Sequence, residues 1–390
     1  MNKKISAAVA SAALVLGAQS ANAGIIIPAG EWTMDINGNV NVYANFVSAD
    51  DPSTTTVTGA LVAVQDANGE SDGQSINTGL LPAWLGFTGT TRQNDLDVSF
   101  TISMQPNVSE NNTMGDSGDI VAWRQAFLTF GDKSWGTVKM GKDIGIFAKN
   151  AILSDMTLLG VGTVVGAERS GANFTSGGIG TGYIYPAWKG QVSYTSPNFN
   201  GFTFTAGITN PNQNTPAVNH NRFGVEAEVA YAFDAGKVWV SGASYDVTTT
   251  SNTEYDAEAI DVGVNFNMGN LGLTAYYYTA DGAGTTFFHS YAVDANNNER
   301  ESDGGYLQAT YVIPSGTKLG VSYGVSKLDT ATGETNASLL EENKRWTVGA
   351  YHPLTKHLNL VAEFNHNEAE NQGGEEIEND AVSLGAILFF

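Results

Sequence analysis

The sequence predicts an all-β protein, a transmembrane antiparallel barrel of sixteen strands, on three observations. Apolar and polar residues alternate over long runs. Short and long connections between those runs follow one another in turn. Past an N-terminal export signal, no stretch of about 18 apolar residues occurs that would cross a membrane as a helix.

The first element is the export signal. Lys3 and Lys4 precede an apolar stretch from Ile5 to Gly17, and Ala21-Asn22-Ala23 supplies a small-residue cleavage site. Cleavage after Ala23 divides the chain into a signal, residues 1–23, and a barrel, residues 24–390. The loss of Lys3 and Lys4 leaves 16 Lys+Arg against 40 Asp+Glu, a net charge of −24. Such a charge excludes nucleic acid as a partner. With no cysteine, the exported chain has no disulfide and no thiolate metal site.

The strands come next. Val40, Val42, Ala44 and Phe46 alternate with Asn39, Asn41, Tyr43 and Asn45. The same period of two sets Val98, Phe100 and Ile102 against Asp97, Ser99 and Thr101, and Val225, Ala227 and Val229 against Gly224, Glu226 and Glu228. It sets Ile260, Val262 and Val264 against Asp261, Gly263 and Asn265. Later runs place Val321 and Tyr323 opposite Ser322 and Gly324, and Leu360, Ala362 and Phe364 opposite Asn359, Val361, Glu363 and Asn365. The last puts Val382, Leu384, Ala386, Leu388 and Phe390 on one face. Several runs reach nine residues, the length of a tilted membrane strand rather than of a sandwich strand. In lipid every backbone amide needs a partner in a closed ladder, so such strands form a barrel.

The connections supply the count. Seven are short and turn-rich, such as 234–237 and 314–316; eight are long and polar, such as 49–75 and 282–303. Fifteen connections join sixteen strands, with both ends of the chain on the short-turn side. Alternation is weak at 80–89, 123–130 and 138–141, which places a contact with another subunit in the N-terminal third.

The connection from Gly141 to Tyr185 stands apart. Ile146, Phe147, Ile152, Leu153 and Met156 need burial, while Lys142, Asp143, Asp155, Glu168 and Arg169 are charged. This combination predicts a third loop, residues 143–182, that folds into the lumen and narrows it.

Arg124-Gln-Ala-Phe-Leu-Thr-Phe-Gly131, Trp135-Gly-Thr-Val-Lys-Met-Gly-Lys142, Ser154-Asp155-Met156, Tyr194-Thr-Ser-Pro-Asn-Phe-Asn-Gly-Phe202 and the terminal Phe390 resemble segments of the general trimeric porins of Gram-negative outer membranes. The resemblance implies a homotrimer among outer-membrane lipids and lipopolysaccharide, a water-filled pore for small hydrophilic solutes and ions, and Phe390 as the signal read by the barrel-assembly machinery. It also implies a transverse field, with wall Arg124 facing loop Asp155. Two departures weaken the pattern: Trp84 stands where such porins often carry a basic residue before Gly-Phe, and Thr157-Leu158-Leu159 replaces a Pro-Glu pair.

Charged rings set selectivity in such a pore. The expected constriction set is Arg124, Lys139, Lys142, Asp143, Asp155, Glu168, Arg222 and Arg345. The expected lumen acids are Asp97, Glu226, Glu228, Asp261 and Glu363. From these acids a mild cation preference is expected. Glu375, Glu376, Glu378 and Asp380 are candidates to bridge divalent cations to lipopolysaccharide phosphates; no other cofactor is expected. Catalysis is not expected. His220, His289, His352, His357 and His366 have no metal-ligand spacing, and His352 alone would serve a barrel hydrolase. A substrate-selective channel, the other alternative, would show an aromatic ladder, for which Tyr276 and Tyr278 are too few.

Overall fold

The computed structural model describes residues 24–49, 55–62, 72–106, 108, 121–165, 174–211, 218–219, 222–249 and 254–390; the export signal lies outside them. Sixteen strands form the wall in chain order: β1 (Trp32–Ala49), β2 in two segments (Asp72–Asn77 and Trp84–Gln93), β3 (Leu96–Pro106), β4 (Val121–Asp132), β5 (Gly136–Ile144), β6 (Trp188–Thr195), β7 (Phe202–Thr209), β8 (Gly224–Phe233), β9 (Gly236–Thr249), β10 (Glu254–Met268), β11 (Leu271–Asp281), β12 (Glu301–Val312), β13 (Lys318–Leu328), β14 (Leu340–Pro353), β15 (Leu358–Asn371) and β16 (Glu376–Phe389). Each pairs antiparallel with its neighbour, and β16 returns to β1 with Val40 opposite Leu388 and Ala49 opposite Asn379. No edge is left, so the wall satisfies its own amides in lipid. Among the described residues, no helix is long and apolar enough to cross a membrane.

The alternation read from the sequence is the division between lipid and lumen. On the outside Val321 is 53% exposed and Val348 47%; their neighbours Ser322 and Thr347 are buried inside. A short strand, Ile25–Ala29, pairs with Trp32–Ile36 of β1. It continues the place that β16 occupies along the other half of β1. At the seam, Gly38 N donates to the carbonyl of Phe390 at 2.8 Å and Phe390 N to that of Gly38 at 3.0 Å.

The weak pattern at 80–89 has a local cause. Between its two segments β2 leaves the ladder at Thr78–Ala83, and asparagines of β1 stand in for the missing strand. Asn41 Nδ2 donates to Leu81 O at 2.8 Å while its Oδ1 accepts from Gly79 N at 2.8 Å. Asn39 Nδ2 donates to Pro82 O at 3.2 Å. Buried polar backbone is thereby paired without a strand. In β4 the pairing with β3 shifts between Ser103 and Met104, a bulge that breaks the alternation around Arg124.

The long connections gather at the end away from the tight turns and interlock. Thr58 N donates to Ser338 O at 2.7 Å, and Leu340 N to Thr58 O at 3.0 Å. Arg300, before β12, forms a buried fork on Glu334, with Nε to Oε2 at 2.8 Å and Nη2 to Oε1 at 2.5 Å. These bonds hold Glu334 below the usual carboxylate range.

Candidate functional site

The segment between β5 and β6 turns inward and crosses the lumen. It carries a helix, α1 (Lys149–Ser154), a 3-10 turn (Met156–Leu159) and a small hairpin of Thr163–Val165 with Phe174–Gly177. Ala148 before α1 has φ 58°, a left-handed conformation that turns the chain into the helix. Asp155 caps the 3-10 turn, its Oδ1 accepting from Thr157 N at 2.9 Å and Thr157 Oγ1 at 2.7 Å. Phe147, Ala151 and Met156 are buried against the wall.

What holds this loop is a row of acceptors on the inner faces of the strands. Glu226 of β8 accepts from Ile146 N at 2.5 Å and Phe147 N at 3.0 Å, and Asp261 of β10 from Ala148 N at 3.1 Å. Glu228 accepts from Asn150 Nδ2 at 2.5 Å. Gln308 of β12 accepts from Met156 N at 2.6 Å and donates to Ser154 O at 3.1 Å. Glu363 of β15 accepts from Val161 N at 2.9 Å and Gly162 N at 2.8 Å. Tyr306 OH and Tyr43 OH donate to the carbonyls of Ala151 and Leu159 at 2.8 and 2.7 Å. Gly162, at φ 62°, lets the chain pass beside Arg345; a Cβ there would stand 2.6 Å from Nη1.

Of the residues expected at the constriction, Asp155 and Arg345 meet in this layer, together with the expected lumen acids Glu226, Glu228, Asp261 and Glu363. All six are buried. Asp155 takes Gly178 N at 3.0 Å and Tyr183 OH at 2.8 Å on Oδ2, with Arg345 Nη2 at 3.9 Å. Lys139 is ion-paired to Asp143, which also accepts from Gln125 Nε2 at 3.0 Å. Arg124 is half-buried, with Nη1 3.4 Å from Tyr185 OH.

Three members stand elsewhere. Lys142 is exposed on the other face of β5 and donates to Trp123 O at 2.9 Å, because strand parity separates it from Lys139 and Asp143. Arg222 is exposed ahead of β8, paired with Asp246. Asp97 lies beside the β2–β3 turn, 2.8 Å from Arg92, which also holds Asp132 at 2.9 Å. Glu168 lies outside the described residues.

Of the candidate cation ligands, Asp380 lies 2.9 Å from His366 Nδ1 and Glu378 3.6 Å from its Nε2. Glu375 accepts from Asn371 Nδ2 at 3.0 Å. Among the described residues one carboxylate group has the spacing for a metal, Glu342, Glu368 and Glu370. Lys344 Nζ stands among them, 2.5 Å from Glu342 and paired with Glu368, so a lysine supplies the counter-charge.

Other members had little signal in the sequence. Lys189 lies buried 2.5 Å from Glu226. Lys149 is 3.9 Å from Glu228, and Lys237 Nζ donates to Asn150 at 2.8 Å. The connection from β11 to β12 also folds inward. Phe288 packs on Phe147 and Tyr245 at ring distances of 5.5 and 5.2 Å, Phe287 on Tyr185 at 5.8 Å, and Tyr185 N donates to Thr286 O at 2.9 Å. His289 is buried between Tyr245 and Tyr255. Burial, and then the Lys189 ammonium, pushes its imidazole down to about 4.

The fold has close counterparts. It superposes on the anion-selective porin from Comamonas acidovorans with a TM-score of 0.66 at 16% identity, covering 92% of this chain and 100% of that one. For the outer membrane channel DcaP of Acinetobacter baumannii the values are 0.70, 17%, 94% and 100%. For OmpF of Salmonella typhi, in a complex with daunomycin, they are 0.63, 18%, 94% and 100%. No curated protein matches the sequence. The family model of the Gram-negative porins matches residues 10–372. The chain therefore belongs to the Gram-negative porins, outer-membrane diffusion channels rather than enzymes.

Proposed function

We propose that this channel passes small hydrophilic solutes and ions passively through a water-filled bore whose cross-section is set by the third loop. The observation that carries the reading is the row of wall acceptors from β8 to β15 bonded to loop atoms between Ile146 and Gly162. A loop tied at that many points narrows the lumen permanently instead of opening for one substrate. The test is planar-bilayer conductance with solutes of graded size, on the native channel and on a variant lacking Leu153–Gly160. A higher single-channel conductance in the variant supports the reading; an unaltered conductance in a folded barrel refutes it.

The homotrimer is part of the same proposal. Trp123, Leu128 and Met140 of β4 and β5 are exposed on the outer wall, in the third of the chain where a subunit contact is expected. The mass of the detergent-solubilised channel, measured by light scattering, checks it. The acidic outer surface of β15 and β16 is proposed to face lipopolysaccharide, and Phe390 to be read by the assembly machinery. The cation preference expected from the lumen carboxylates loses support in this geometry, since Glu226, Glu228, Asp261 and Glu363 are engaged by loop donors and Asp97 by Arg92.

A further inference from the structure

Among the described residues, the layer at the third loop holds six carboxylates: Asp143, Asp155, Glu226, Glu228, Asp261 and Glu363. None is more than 6% exposed. Each faces inward to donors. Glu226 takes two backbone amides, the Lys189 ammonium and the Tyr245 hydroxyl. Glu363 takes two amides and Tyr351 OH at 2.7 Å. Asp261 takes Ala148 N, Ser241 N and Oγ, and Tyr276 OH. Donor dipoles pointing at a carboxylate offset its field in the direction of the bore.

The bases of the same layer behave differently. Lys189 and Arg345 are buried with the acids. Lys139 keeps 32% of its side chain exposed and Lys149 21%, and Arg124 and Lys237 are half-buried. Among the described residues of this layer, the charged side chains left partly exposed are therefore cationic. A permeating ion responds most to the charges it passes within a few ångströms, because more distant ones are screened over about 8–10 Å. The acids behind the chain's large negative charge include Glu342, Glu368 and Asp380, which lie on the outside of the wall or on its outer end and not in this layer.

We infer that the constriction favours small anions, inorganic ions and short carboxylates or phosphates alike, and that Lys149 and Lys237, with Arg124 and Lys139 of β4 and β5, set this preference. The inference rests on the diffusion-pore reading. It gives the bore a sign opposite to that of the chain as a whole.

The test is the reversal potential of the purified full-length channel in a KCl gradient. The native channel is expected to pass chloride over potassium. Lys149→Gln and Lys237→Gln are each expected to lower that permeability ratio about sevenfold, because one unit charge roughly 7 Å from the path through water shifts chloride and potassium about threefold each in opposite senses. Lys149→Arg should retain the ratio, and Lys142→Gln, outside the wall, should leave it unchanged. Heat-modifiable migration on gels reports folding, and Lys139→Gln replaces any variant that misfolds. A potassium-preferring native channel, or a ratio unmoved by the glutamine variants, overturns the inference while leaving the pore intact. A folded channel with no conductance overturns the diffusion reading along with it.

Discussion

Replacing Glu226 tests whether the wall acids anchor the third loop. Its carboxylate is fully buried and receives Ile146 N, Phe147 N, Lys189 Nζ and Tyr245 OH. Glu226→Gln retains the shape but presents an NH2 group to donors and leaves Lys189, 4% exposed, without its counter-charge. Removal of one partner from a buried ion pair costs about 3–5 kcal/mol. At 1.36 kcal/mol per decade this corresponds to a fall of roughly two to three and a half decades in the protection of the loop root. Hydrogen exchange at the amides of Ile146 and Phe147 reads that loss directly, and single-channel recordings should show added flicker. The barrel ladder should stay protected, since β8 keeps its bonds to β7 and β9. Adding Lys189→Met should recover a large part of the protection, because the stranded charge is then gone. Native-like protection at Phe147 in folded Glu226→Gln would refute the anchoring role.

Three further outcomes follow from the same contacts. His289 has its pKa depressed from 6.5 to about 4, so the undocked loop binds more protons and docking weakens as pH falls from about 6.5 to about 4. The full loss is about 3 kcal/mol, measurable as exchange at Phe287 and Phe288, and His289→Phe should remove this pH dependence. Arg300→Met should strand Glu334 and cost about 3–5 kcal/mol of local stability, read as faster proteolysis within 329–339. In the native protein the fork, which depresses Glu334, is strongest above its ordinary pKa of 4.5 and is lost as pH falls below that value. Gly162→Val should disturb the approach to Arg345 and the left-handed turn together, lowering the thermal resistance of the loop but not of the wall.

The wall was legible because lipid imposes period two with no exceptions for function: Val321 and Val348 outside, Ser322 and Thr347 inside. The alternation failed where other interactions replaced the ladder. At Leu81 and Pro82 asparagine side chains do the pairing, and near Arg124 a bulge resets parity. The site was legible by residue type but not by role. Glu226, Asp261 and Glu363 carry the right parity for the lumen, yet whether a carboxylate meets water or an amide depends on where a loop far along the chain is laid down. Phe287, Phe288 and His289 sit in a stretch polar enough to read as an external loop; their burial depends on Phe147 and Tyr245, which no local pattern connects to them.

The seam between β1 and β16 bears on how the molecule is made. Every other neighbouring pair of wall strands is joined by one connection, whereas Val40 meets Leu388 across almost the whole chain. Loop-closure entropy makes such a pairing the last and slowest to form. Until β16 arrives, the outer face of β1 offers Val40, Val42 and Phe46 beside unpaired backbone, an adhesive edge in water. A chain in which β16 has not yet paired with β1 would leave that edge open to other strands. The Gly38–Phe390 bonds then act as the clasp whose fastening marks a finished barrel.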